Sequence, residues 1–167
     1  MPFESKKTPI LNLTGLINGL SQAKVEFIVV GGIAAVAQGA PVTTFDLDIV
    51  HRQSDDNVER LYKYLQTVGV YFRRPDEKIL KPTIEHLKGR GHLLLSTTLG
   101  PLDVLAHVEL DQGFDDLISD SVLIDFKGGS VRILSLEKLI ELKRMSTSPE
   151  DQYRLHLLEE THRHKNH

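Results

Sequence analysis

Asp46 and Asp48 are the two side chains whose type and spacing speak most directly of chemistry. They sit in Thr44-Phe45-Asp46-Leu47-Asp48-Ile49-Val50, where polar and apolar residues alternate. A period of two predicts a strand over 44–50, with Phe45, Leu47 and Ile49 on one face and Thr44, Asp46 and Asp48 on the other. The two carboxylates then project to one side, roughly 7 Å apart at about 3.3 Å per residue. Asp103, flanked by Leu102, Val104 and Leu105, offers a third carboxylate at the start of another expected strand. Three carboxylates on one cleft repel one another strongly unless cations neutralise them. Oxygen-only ligands suit hard cations, Mg²⁺ above all. Two such ions bind a triphosphate, activate an acceptor hydroxyl and stabilise a leaving pyrophosphate.

Each of these residues also has a plainer reading. Alternation alone fits a solvated strand face, and an aspartate after Gly100-Pro101-Leu102 fits a turn. What favours a site is Gly31-Gly32, one short helix upstream of the paired aspartates, between an expected strand and a helix start. Glycine lets backbone amides approach a phosphate, and a helix N-terminus carries partial positive charge. Elsewhere, Arg73, Arg74, Lys78, Lys81, Lys88 and Arg90 are interspersed with Asp76, Glu77 and Glu85. Such a run is ordinarily a solvated loop; the functional alternative is a grip on an acceptor RNA or a triphosphate. His92 reads as an ordinary hydrogen-bonded histidine. His156, His162, His164 and His167 lack a firm ligand spacing and read as a basic tail, frayed over 162–167.

The elements that must position these residues follow from periodicity. Ile10, Leu13, Leu16, Ile17 and Leu20 recur at helical spacing and predict an amphipathic opening helix. Phe27 to Val30 is a short β-branched run ending at the glycine pair, a buried strand. Ile33 to Gln38 suits a short helix closed by Gly39 and Pro41. Residues 55–68 predict a surface helix with Val58, Leu61, Tyr62 and Leu65 on its apolar stripe, and 73–90 an irregular excursion. Leu93 to Leu95 and Leu102 to Val108 predict two strands turning at Gly100-Pro101. Val122 to Phe126 and Val131 to Leu134 predict a hairpin across Lys127-Gly128-Gly129-Ser130. Ser135 is placed to cap a helix bearing Leu136, Leu139, Ile140 and Leu142. A last helix is expected from Pro149 to about Thr161. The sum is an α+β chain, a mixed β-sheet with flanking helices, in one domain spanning 1–167 with its core over about 10–160.

Bulk composition narrows the classes. The 167 residues carry 40% hydrophobic and 26% charged side chains, as an ordinary globular domain does. The formal net charge of -3 supplies no overall basic field for nucleic acid. With no cysteine, disulfides, thiolate catalysis and sulfur-ligated zinc are excluded, and a reducing, cytoplasmic location fits. The opening MPFESKKTP holds no apolar signal core, and the run Phe27 to Ala37 is broken by Gly31-Gly32 and shorter than the roughly 20 residues a bilayer needs. A protein free of the membrane is expected.

The order GGIAAVAQGAPVTTFDLDIV resembles the signature of the nucleotidyltransferase fold shared with the polymerase-β superfamily: a glycine pair, a short helix, Asp-x-Asp on a strand, and a later aspartate. Across roughly Phe27 to Leu158, TTFDLDIVHR, SDDNVERL, GHLLLSTTLGPLDVL and LEKLIELK are similar to bacterial abortive-infection toxin-type nucleotidyltransferases and their single-domain relatives. The resemblance implies that Gly31 and Gly32 hold nucleotide phosphates through their amides. It also implies that Asp46 and Asp48 bind both metal ions, and that Asp103 completes one metal site and helps activate the acceptor. Thr44 would touch a phosphate or support the aspartates, and Lys143 would contact the nucleotide, although a helix-end lysine is also favoured by the dipole alone. That group's pattern continues with an arginine, a proline and a lysine–aspartate pair. Here Ser148-Pro149-Glu150-Asp151 keeps the proline and Asp151 and lacks both cations, for which Arg144 or Arg154 could substitute.

The expected activity is Mg²⁺-dependent transfer of a nucleoside monophosphate from an NTP to an acceptor hydroxyl or phosphate. The toxin-like resemblance favours tRNA or protein over a small molecule and implies an antitoxin partner. With no second domain, a homodimer or other partner is expected to complete the acceptor site. The alternative from another class is a catalytically inactive nucleotide-binding or protein-interaction module on the same fold. A nucleotide hydrolase ranks last, because no dedicated water-activating base accompanies the aspartates.

Overall fold

The computed structural model describes residues 8–76 and 78–166. Residues 1–7, where the sequence shows no signal core, Glu77 of the charged run and His167 of the histidine group lie outside the described residues. Seven strands form one mixed sheet: β1 (Phe27–Val30), β2 (Leu47–His51), β3 (Tyr71–Phe72), β4 (His92–Thr97), β5 (Gly100–Leu105), β6 (Ser121–Phe126) and β7 (Gly129–Leu134). Their spatial order is β3-β4-β5-β2-β1-β7-β6. The α-helices among the described residues are α1 (Leu13–Gln22), α2 (Gly31–Ala37), α3 (Asp55–Thr67), α4 (Ile84–Lys88), α5 (Phe114–Leu117), α6 (Leu136–Lys143) and α7 (Pro149–Lys165). They pack in groups, α1 on α3 and α3 on α4, and α2 on α6 and α6 on α7. None is long and apolar enough to cross a membrane.

Local chemistry explains where the helices begin. Asn12, Ser54, Ser135 and Ser148 each accept a hydrogen bond from the backbone amide three residues on, satisfying an end amide of α1, α3, α6 and α7. Pro149 opens α7, where its missing N–H costs nothing. The central strands are the driest part: Ile28, Leu47, Ile49, Leu102 and Val104 are fully buried in the core. Burying side chains of that size stabilises by about 1.5–3 kcal/mol each. This apolar block fixes the register of β1, β2 and β5, on which the site depends.

Several boundaries depart from expectation. Ile10 lies outside α1 and is 94% exposed, so the opening helix starts three residues later than its apolar pattern. Here the backbone prefers to run beside the β4–β5 turn, the Asn12 amide donating to the Leu99 carbonyl at 2.8 Å. The strand expected over 44–50 begins only at Leu47, and Phe45, placed by alternation on the core face, is 78% exposed. Inside the excursion 73–90 a one-turn helix, α4, buries Leu87. The last helix continues past Thr161 to Lys165, so His162 and His164 are helical. His162 lies 3.4 Å from Glu137 and His164 3.9 Å from Glu160 along this extension.

Candidate active site

Sheet register brings the site together. β2 runs parallel to β5 with Asp48 opposite Asp103, and antiparallel to β1 with Asp48 opposite Val30. Gly31 follows Val30 directly, so the glycine pair, Asp48 and Asp103 meet at one end of three adjacent strands. Asp46 enters from the bend just before β2. One carboxylate oxygen from each of Asp46, Asp48 and Asp103 lies within 4.8 Å of the others. Among the described residues no other group of three histidine or acidic side chains converges in this way.

The cluster is partly withdrawn from water. Asp103 is buried, and Asp46 and Asp48 are half-buried. Burial pushes the Asp48 carboxyl up to about 8, the charges of Asp46 and Asp103 add to this, and the Arg73 cation opposes it. Burial likewise raises Asp103, against a hydrogen bond from Arg73 that lowers it. Asp48 Oδ1 is buried and has no hydrogen-bond partner. A buried carboxylate oxygen without a donor is costly unless a cation serves it. The donor set is therefore all oxygen and anionic with one orphaned atom, which fits a hard divalent cation.

The glycines act here chiefly by leaving room. Gly31 has φ +66°, and a Cβ on it would stand 2.2 Å from Asp48 Oδ2. A Cβ on Gly32 would stand 2.7 Å from both Cβ and Oγ1 of Thr44. The bare backbone at 31–32 is thus wedged between the aspartate strand and the segment entering it. α2 has only seven residues, so its dipole adds little. The Thr44 hydroxyl donates to the Asp46 carbonyl at 3.3 Å, tying the bend that presents Asp46.

Lys143 ends α6 beside the glycines: Gly31, Gly32, Val42, Leu139, Lys143 and Arg154 line one small cavity. The Lys143 ammonium donates to Asp151 Oδ1 at 3.1 Å, and the Ser146 hydroxyl to Asp151 Oδ2 at 2.6 Å. Those two bonds, Ser146 foremost, hold the Asp151 carboxyl below the usual carboxylate range. Of the two substitute arginines considered, Arg154 lines this cavity, whereas Arg144 turns away to Glu159. Glu150 pairs loosely with Arg154 at 3.7 Å.

Arg73 is the site residue that periodicity missed. From the end of β3 its guanidinium reaches Asp103 Oδ1 at 2.6 Å and Asp46 Oδ2 at 3.9 Å, and it also donates to the Leu95 carbonyl. Its neighbours Arg74 and Asp76 pair with each other at the surface, as a solvated run would. Nothing local in 73–90 distinguishes Arg73. Only the pairing of β3 with β4, next to β5, carries it to Asp103.

No protein-family model matches the chain, and no curated protein matches it. Solved structures do. The nucleotidyltransferase candidate TM1012 of Thermotoga maritima shares 19% identity over 77% of this chain and 78% of its own, with a TM-score of 0.53. The antibiotic-resistance factor ANT(2'')-Ia shares 16% identity over 87% and 81%, with a TM-score of 0.51. At such identities the likeness is one of fold. The chain has the nucleotidyltransferase fold, an α+β single domain, as its sequence led one to expect.

Proposed function

We propose that this chain transfers a nucleoside monophosphate from an NTP to an acceptor hydroxyl or phosphate and releases pyrophosphate. One observation carries the reading: three carboxylates from adjacent strands converge within 4.8 Å, beside a backbone cradle that only glycine can form. Asp46 and Asp48 would hold two Mg²⁺ ions, with Asp103 completing one of the two sites. Bound there, the ions would neutralise the triphosphate and make the acceptor oxygen easier to deprotonate.

The chain's own residues do the rest. Gly31 and Gly32 present amides to the phosphates, and Thr44 steadies the bend bearing Asp46. Lys143 and Arg154 sit beside the glycines, where the β- and γ-phosphates need cations. Asp103 takes the acceptor's proton as the oxygen bonds to the α-phosphorus and the bond to pyrophosphate breaks. Positioning and charge neutralisation suffice, without a covalent enzyme intermediate.

For the acceptor, the toxin-like sequence resemblance supports tRNA or protein, in the cytoplasm, with an antitoxin as partner and a second copy completing the acceptor site. The likeness to an antibiotic-resistance factor supports a small molecule instead. Arg154 in the cavity speaks for activity over an inactive binding module, since it restores one of the cations missing at Ser148 and Glu150.

The test is incubation with each α-³²P-NTP and Mg²⁺ in a lysate holding RNA, protein and small molecules, beside an Asp46→Ala/Asp48→Ala double variant. Label passing only with the native chain into one of these pools establishes transfer and names the acceptor class. Mg²⁺-dependent NTP binding with no transfer from any NTP overturns it in favour of the binding module.

A further inference from the structure

Arg73 stands against two of the three carboxylates, Asp103 and Asp46. Its backbone amide donates to the Leu94 carbonyl at 2.9 Å, and one guanidinium nitrogen to the Leu95 carbonyl, so β4 holds the side chain at both ends. The other terminal nitrogen lies 2.6 Å from Asp103 Oδ1 and 3.9 Å from Asp46 Oδ2. That nitrogen fills the gap between an aspartate on β5 and one at the mouth of β2. Mg²⁺ ligated by oxygens of both residues, at about 2.0–2.1 Å each, needs the same space.

We propose that Arg73 is a resident counter-cation that competes with a divalent ion for the gap between Asp46 and Asp103, so that loading this position displaces the guanidinium. The inference rests on reading the trio as a cation site. Its physical basis is exclusion. A divalent ion ligated by Asp103 Oδ1 and the guanidinium now 2.6 Å from that oxygen would repel each other in a half-buried cleft, so the ion is favoured when the guanidinium leaves. The anchoring bonds to the Leu95 and Leu94 carbonyls hold Arg73 in place until a better-coordinated ion arrives. Once displaced beside a triphosphate, the guanidinium finds a new anionic partner in its phosphate oxygens. Ion and nucleotide arriving together therefore dislodge Arg73 more easily than the ion alone.

The test is Mn²⁺ alone, titrated into the full chain and read as free Mn²⁺ by electron paramagnetic resonance. Wild type is compared with Arg73→Ala, Arg73→Gln and Arg73→Lys. The glutamine amide keeps a donor for the Leu95 carbonyl, which guards against loss of fold in the alanine variant. Affinity at least fivefold higher in the two neutral variants, with Arg73→Lys near wild type, is the expected result. Unchanged or weaker binding in a folded neutral variant overturns the competition and makes Arg73 a support for Asp103. No Mn²⁺ binding by wild type or any variant removes the cation reading of the trio itself, a different failure.

Discussion

Gly31 and Asp48 fit together only because Gly31 has no side chain: a Cβ there would stand 2.2 Å from Asp48 Oδ2. Gly31 opens α2 directly after Val30, which pairs with Asp48 across β1 and β2, so neither residue can retreat without disturbing the sheet. The positive φ of Gly31 adds a second constraint, since an L side chain there is strained by about 1–2 kcal/mol. Gly31→Ala is expected to lower stability by at least that amount and to weaken Mn²⁺ binding tenfold or more by pushing the carboxylate aside. Thermal unfolding and a metal titration check the two effects separately. Gly32→Ala meets only the small Thr44 side chain and carries no φ penalty, and its effect is expected to be milder.

The raised Asp48 carboxyl has a signed consequence for pH. Its folded value, about 8, exceeds the unfolded 3.8, so the folded state holds the proton more tightly. The associated stability is fully present below pH 3.8 and is lost as pH rises through 8. In EDTA, Asp48→Asn should therefore be more stable than wild type at pH 8, on the order of 2–3 kcal/mol once interactions within the cluster are shared out. The difference should close toward pH 4. Urea unfolding at pH 4, 6 and 8 measures it, and a pH-independent difference would contradict the assignment.

Removal of Lys143 or Arg154 is expected to separate nucleotide binding from chemistry. A charge-assisted contact to a phosphate contributes about 1.5–3 kcal/mol, so each alanine variant should raise KM for the NTP about ten- to a hundredfold. Because neither side chain reaches the carboxylates, kcat should change little. Arg144→Ala, whose guanidinium pairs with Glu159 at the surface, should behave as wild type in the same steady-state assay.

Much of this site was legible because it is local. The glycine pair, Asp46 and Asp48 fall within 18 consecutive residues, and the buried Leu47 and Ile49 give the strand a readable period. Asp103 was legible through its apolar flanks, which mark a strand even though the pairing with β2 cannot be read locally. Phe45 was misread because alternation continues past the point where pairing stops: β2 has no partner before Leu47. Ile10 was misread because an apolar residue at helical spacing can be left exposed when the chain is held elsewhere by Asn12 and Leu99. Arg73 was hidden for a different reason. Its role depends on a two-residue edge strand, too short to leave a periodic trace, pairing with β4 beside β5.

The last helix, α7, has seventeen residues and buries only Leu158, yet it carries Arg154 to the cavity and Asp151 to Lys143. With a single fully buried side chain, α7 is expected to open more readily than the central strands, and anything that binds only its docked form shifts that opening equilibrium by mass action. A nucleotide touching Arg154, as proposed, would be such a ligand, whereas a divalent ion confined to the aspartates would not. Amide hydrogen exchange in α7 should therefore slow when NTP is added and stay unchanged with metal alone. On that expectation labour is divided between the sheet, which keeps the carboxylates in register, and α7, whose docking would register the nucleotide.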